Sequence, residues 1–161
     1  MPVRGSRETA GNLREMARYV STPLNAASRF ALQPTLGAAR INAKALPSEE
    51  KTGTLAASLT IKRDPKSPKL KPKHQVGPSS DYERNTQFGK RRPVKYAHLL
   101  EFGTAPHYQP GRGVTHPGSK PEPFLTPAYN ATKETVVKRF GERIGPELEK
   151  RAAKLGVKTK T

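Results

Sequence analysis

Tyr96-Ala-His-Leu-Leu-Glu-Phe-Gly-Thr104, a loop rich in proline, glycine and histidine, and then Pro121-Glu-Pro-Phe-Leu-Thr-Pro-Ala-Tyr129 make up the most informative part of this chain. Tyr96, Leu99, Leu100 and Phe102 fit one or two turns of helix ending at Gly103, which can take a left-handed cap; a strand is the competing reading. Residues 104–123 form a loop of 20 residues, longer than compact domains usually carry without a function. Thr126 can then cap a helix that Pro127 opens. Val137, Phe140, Ile144, Leu148 and Leu155 continue it at three- and four-residue intervals. Gly145-Pro146 predicts a bend midway, and the lysines after residue 149 suit the negative end of the helix dipole.

Toward the N-terminus, Leu13, Met16, Ala17 and Val20 predict a short amphipathic helix over 7–20. Ser21-Thr-Pro23 reads as a cap with proline at the first position of a second helix. Leu24, Ala27, Ala31, Ala38, Ile41 and Ala45 keep one face of that helix, with a kink or break at Pro34 and an end at Pro47. Thr52-Gly-Thr-Leu-Ala-Ala-Ser-Leu-Thr-Ile61 predicts a turn or short helical start running into a strand. Pro65, Pro68 and Pro72 interrupt residues 62–73, which read as an extended basic hairpin or loop. Gln75-Val-Gly-Pro78 is a returning strand, and residues 79–95 are polar. The chain reads as one domain over 1–161: an N-terminal helical arm (1–22), a helix (23–46), a sheet region (52–103) with the basic hairpin (62–73), the long loop (104–123) and a C-terminal helix (126–155).

Only 33% of the 161 residues are apolar and none is Trp. The expected core is therefore small, with stability leaning on partners. Net charge is +17, which favours contact with a polyanion or an acidic protein surface. Without cysteine there are no disulfides, thiolate zinc sites or cysteine nucleophiles. No signal-peptide core and no membrane-spanning run is visible, so the expectation is a soluble protein made in the cytosol, with no membrane partner.

His74, His98, His107 and His116 invite a metal, but only Glu101 and Asp81 stand near them, too few ligands for zinc. Glu101 with His107 is the best acid–base pair on offer. Glu101 is more simply a last-turn residue that bonds loop backbone or a neighbouring subunit. No P-loop, dinucleotide fingerprint or nucleophile elbow occurs. The reading is of a non-enzyme with no cofactor and no metal. Lys66, Lys69, Lys71 and Lys73, with Lys90, Arg91 and Arg92, are the candidate anion or DNA contacts. The aromatic interleaving of a base-stacking surface is missing, so such contact would be to phosphate backbone and non-specific. Phe102, Phe124 and Tyr129 are candidate core anchors at the loop base, with direct subunit contact as the alternative.

Three ordered blocks resemble the small tail-completion or neck (head–tail joining) proteins of long-tailed bacteriophages, the lambdoid family analogous in role to protein Z of phage lambda. The first is Thr52-Gly53-x-Leu55-x-x-Ser58-Leu59 after Pro47. The second is Tyr96-Ala97 followed by Glu101-Phe102-Gly103-Thr104. The third is His116-Pro-Gly-x-Lys-x-x-Pro123-Phe124-Leu125-x-Pro127-Ala128. The resemblance spans residues 20–150 and implies an α+β fold, with a small antiparallel sheet packed by a long N-terminal and a C-terminal helix. It also implies a structural virion protein at the head–tail junction, forming a ring of six copies. Its implied neighbours are tail terminator or tail tube proteins and head connector or stopper proteins, with the DNA end or the tape-measure protein in the channel. Thr126 departs from the family, which usually has Arg there, and the insert at 64–73 is untypical. The alternative expectation is a free basic protein that binds nucleic acid non-specifically.

Overall fold

The computed structural model describes residues 6–47, 52–87 and 89–154. Leu155, the tail from Gly156 and the first five residues lie outside them. In chain order the elements are α1 (Ser6–Ala31), α2 (Gln33–Lys44), α3 (Thr54–Ser58), β1 (Leu59–Arg63), β2 (His74–Pro78), β3 (Arg84–Thr86), β4 (Gly89–Arg91), a 3-10 turn (Pro93–Lys95), α4 (Ala97–Phe102), β5 (His107–Gln109), β6 (Val114–His116) and α5 (Leu125–Lys154). The class is α+β, with long helices and small antiparallel sheets. The strands pair two by two, as β1–β2, β3–β4 and β5–β6.

The chain divides into two compact units. One comprises residues 33–62 and 76–133, the other residues 1–32, 63–75 and 134–161. The first holds most of the apolar core: Leu36, Ala39, Ala43, Leu46, Leu55, Ala56, Leu59, Ile61, Ala97, Phe124 and Ala128 are buried. Small side chains on α2 allow close approach, and polar links fix it. The Arg40 guanidinium donates to the Leu59 carbonyl at 2.7 Å, Asn42 donates to the Phe124 carbonyl at 3.0 Å, and the Thr35 and Thr132 hydroxyls pair at 2.7 Å. In the second unit α1 meets the later part of α5. Tyr19 donates to Glu147 at 2.8 Å, Arg151 pairs with Glu15, and the Arg139 guanidinium lies 4.2 Å from the centre of the Phe30 ring.

Several expectations are corrected. Pro23 does not open a helix; it lies inside the continuous α1, so the arm at 1–22 and the helix at 23–46 are not the natural divisions. The break falls at Leu32, and Pro34 occupies the first turn of α2, where a missing N–H costs little. Ile41 (70% exposed) and Ala45 leave the expected buried face, which Thr35, Leu36, Ala39 and Ala43 take instead. The reason is the fresh start at Gln33, which resets the helical phase. Val137, expected on the apolar stripe of the C-terminal helix, is 73% exposed; that helix, α5, is one element through Gly145-Pro146, with Pro146 inside it. The polar stretch 79–95 hides a hairpin, β3–β4, in register Arg84 to Arg91. Its short charged strands carry no hydrophobic alternation by which to be found.

Candidate functional site

The distinctive construction of the first unit ties the two ends of the long loop to the start of α5. A helix leaves its first N–H groups without intrahelical partners; Pro127 has no N–H to satisfy, but Phe124, Leu125 and Thr126 each have one. Glu101, at the end of α4, fills that gap. Its Oε2 accepts from the backbone N–H of Phe124 and of Leu125, both at 2.9 Å, and its Oε1 accepts from the N–H of Thr126 at 2.8 Å. The Thr126 hydroxyl also bonds this carboxylate. Burial alone would push the Glu101 carboxyl up. The Thr126 hydroxyl and the three N–H donors outweigh it and hold the group below the usual carboxylate range. A buried anion aimed at a helix N-terminus is favourable for the same reason.

Two further links close the loop. The Leu100 carbonyl accepts from the Glu122 N–H at 2.7 Å, and Thr104 and Ser119 exchange backbone bonds of 3.0 and 3.1 Å. Such close approach needs glycine on both sides. A Cβ on Gly103 would meet the Ser119 carbonyl oxygen at 2.6 Å, and one on Gly118 would overlap the Thr104 carbonyl oxygen. Both have positive φ, +72° and +87°. Gly103 is nonetheless not the left-handed cap expected of it, since its ψ of −175° is extended. The loop it opens is not featureless. β5 and β6 pair with His107 opposite His116, whose rings stack with centroids 5.2 Å apart.

Glu101 therefore replaces Thr126 as the cap, and its loop-backbone role is the one it takes. Both carboxylate oxygens are occupied, and the His107 Nδ1 sits 3.0 Å from the Ala105 carbonyl, so the acid–base pairing of these two residues is not formed. Among the described residues no three of His, Asp and Glu converge on a common point. Phe124 is the core anchor, 2% exposed. Phe102 (75%) and Tyr129 (55%) are not. Phe102 lies at the C-terminal end of the short α4, where Ala97 and Glu101 take the inner face.

In the first motif, Gly53 adopts a left-handed conformation (φ 56°, ψ 15°) just before α3, Leu55 is fully buried, and Thr52 lies beside the turn. Tyr96 is half-buried, with the Arg91 guanidinium 6.0 Å from its ring centre. Pro123 and Pro127 are exposed and Leu125 is half-buried. Ser119 is a structural partner that sequence reasoning did not single out, since it fell at an unassigned position of the third block; Gly118, quoted in that block, gains its reason from the close approach of the Thr104 carbonyl.

The basic residues fall into two situations. Lys66, Lys69, Lys71 and Lys73 are exposed in a loop ordered by turns, with Asp64 N–H donating to the Lys73 carbonyl at 2.9 Å. Lys90 instead pairs with Glu83 at 2.6 Å, and Arg92 reaches the same carboxylate at 3.7 Å. The Lys90 hydrogen bond, foremost, lowers the pKa of Glu83. Among the described residues no helix is long and apolar enough to cross a membrane. Compared with protein-family models, curated proteins and solved structures, the chain gives no match.

Proposed function

We propose that this chain is a structural, non-enzymatic virion protein that completes the tail of a long-tailed phage and helps join it to the head connector, assembled as a ring of six copies. One observation carries the reading. The second and third motif blocks meet through the Glu101 carboxylate on the N–H groups of Phe124, Leu125 and Thr126. The pairing gives the motif residues a physical purpose, which is to hold the end of a long loop against the first turn of α5. Glu101, the acid of the best acid–base pair in the sequence, is engaged in this task, which supports a structural role for it. Leu99, Phe102, Tyr108, Val114 and Tyr129 are large apolar groups exposed on one protomer, which supports burial against neighbours. Electron microscopy of assembled particles tests the proposal: density for this chain at the head–tail junction is the expected result, and its absence there overturns the idea.

A second reading, non-specific nucleic-acid binding, draws on the four exposed lysines of the 64–73 loop. A gel-shift titration across salt separates the two. If those four each neutralise a phosphate, log affinity falls against log salt with a slope of about −3 to −4 for duplex DNA. Feeble binding by a protein that forms six-fold rings supports the first reading.

A further inference from the structure

The second unit contains an apolar cleft of about 670 Å³, lined among others by Ala31 and Leu32 at the end of α1, Val136, Val137 and Phe140 on α5, and His74 on β2. Its size falls in the range of ligand-holding clefts. Three features show that the described residues do not finish this surface. Val137 stands 73% exposed at its edge. Both ring nitrogens of His74 are buried without a hydrogen-bond partner, a state that is unfavourable until a partner is supplied. The rim is also cationic. Lys73 lines the cleft, and Arg29 and Arg63 are close enough to act electrostatically on His74, while among the described lining residues Asp64 alone brings a carboxylate.

We propose that this cleft docks an acidic, leucine-bearing segment of a partner protein, with its apolar side chains between Leu32, Val137 and Phe140 and its carboxylates against Lys73, Arg29 and Arg63. Charge decides the occupant. A second copy of this chain, with 30 Lys+Arg against 13 Asp+Glu, is poorly matched to this particular rim, where Lys73, Arg29 and Arg63 would meet mostly like charge; copies can still meet through other, less charged faces. Nucleic acid would match the rim but leave the apolar walls uncovered. A segment combining both chemistries satisfies the whole surface, as amphipathic helices do in hydrophobic grooves. The inference is independent of the tail-completion reading and holds for whichever assembly the chain joins.

The test uses the full-length protein and a fluorescein-labelled synthetic 16-residue helical peptide, with leucines at i, i+4 and i+7 and glutamates on the flanking positions. Two matched peptides replace the leucines by serine or the glutamates by lysine. Fluorescence anisotropy at low salt should give saturable binding of the first peptide with Kd of order 10⁻⁵ M. Each substituted peptide should bind at least about tenfold more weakly. The exposed-site variant Val137→Asp should lose the leucine peptide by a similar factor while keeping its circular dichroism spectrum. Lys73→Glu should weaken the glutamate peptide and strengthen the lysine one, a reversal that a purely structural role for Lys73 would not produce. NMR titration of His74 should show its pKa rising when the glutamate peptide is bound, because carboxylates brought to the rim favour the imidazolium. No saturable binding, equal binding of all three peptides, or indifference to both substitutions overturns the proposal.

Discussion

The carboxylate of Glu101 and the backbone N–H of Phe124, 23 residues apart, meet at 2.9 Å in the interior of the first unit. Phe124 is thereby placed twice, by its buried ring and by its main chain. Its carbonyl is held too, by Asn42 of α2, so the helix start is fixed from two sides.

Replacing Glu101 by Ala leaves three N–H groups and the Thr126 hydroxyl without their acceptor. The expected loss is about 2–4 kcal/mol of folding free energy. Glu101→Gln keeps one oxygen but turns an NH₂ group toward other donors, so it should recover less than half. Urea melts followed by circular dichroism measure both, and a change below about 0.5 kcal/mol for the alanine variant would remove the cap from this account.

The acid limb of stability should be written by this same residue. The Glu101 pKa is lowered in the folded protein, so its contribution is fully present above the ordinary carboxylate value of 4.5 and drains away as pH falls through the folded value. The wild-type denaturation midpoint should therefore drop steeply below about pH 4.5, and the Glu101→Ala midpoint should drop less. Parallel curves for the two proteins would contradict the assignment.

A separate and milder window belongs to His74. Burial first, then Arg29 and Arg63, lower its pKa below 6.5. The unfolded chain thus takes up the proton more readily, and His74 favours folding fully above about pH 6.5 and less as pH falls toward its folded value. Thermal melts of His74→Gln between pH 8 and pH 5 should be flatter than wild type; an unchanged slope would place this titration elsewhere.

Glycines at the loop base should divide by surroundings. Gly118→Ala and Gly103→Ala combine a positive φ with a main-chain carbonyl in the path of the new Cβ. Each should cost about 2–4 kcal/mol. Gly113, at φ +65° in the β5–β6 turn, has open space around it, and its alanine variant should lose only about 1 kcal/mol. Equal losses at all three positions would mean that the close approach of Thr104 and Ser119 is not a constraint.

Prolines give the last contrast. Pro23 interrupts the hydrogen bonding of α1 from within, whereas Pro34 sits in the first turn of α2. Pro23→Ala should raise stability by about 1–3 kcal/mol, and Pro34→Ala should change it by less than about 1 kcal/mol. Differential scanning calorimetry distinguishes them; no gain at Pro23 would show that its ring makes contacts worth the broken helix bond.

Much of this fold was legible in residue patterns. Leu55, Leu59 and Ile61, one after another on a helical start and a strand, announced α3 and β1. Pro65, Pro68 and Pro72 excluded regular structure over 64–73, beyond the end of β1 at Arg63, and β2 followed at the expected returning strand. The turn of helix before Gly103, and the long helix after Pro123, were readable from apolar spacing and from glycine and proline. All of these are local effects, in which a residue's own backbone preferences or its neighbours three and four positions away decide the outcome.

What the residues could not settle by themselves was everything that depends on which distant group arrives. Thr126 is a sound cap in isolation, yet Glu101 takes that place because the chain returns 23 residues later with its donors pointing at a carboxylate. Phe102, Phe124 and Tyr129 are all aromatic on paper, and only the tertiary structure, which ties the Phe124 main chain to Asn42 and Glu101, puts Phe124 inside and leaves the other two exposed. Ile41 lost its expected place because the helix restarted at Gln33. Local sequence determined which elements form, through backbone sterics and side-chain periodicity. Tertiary structure alone decided their caps and their buried faces, because a hydrogen-bond acceptor or an apolar partner acts through distance in space and not along the chain.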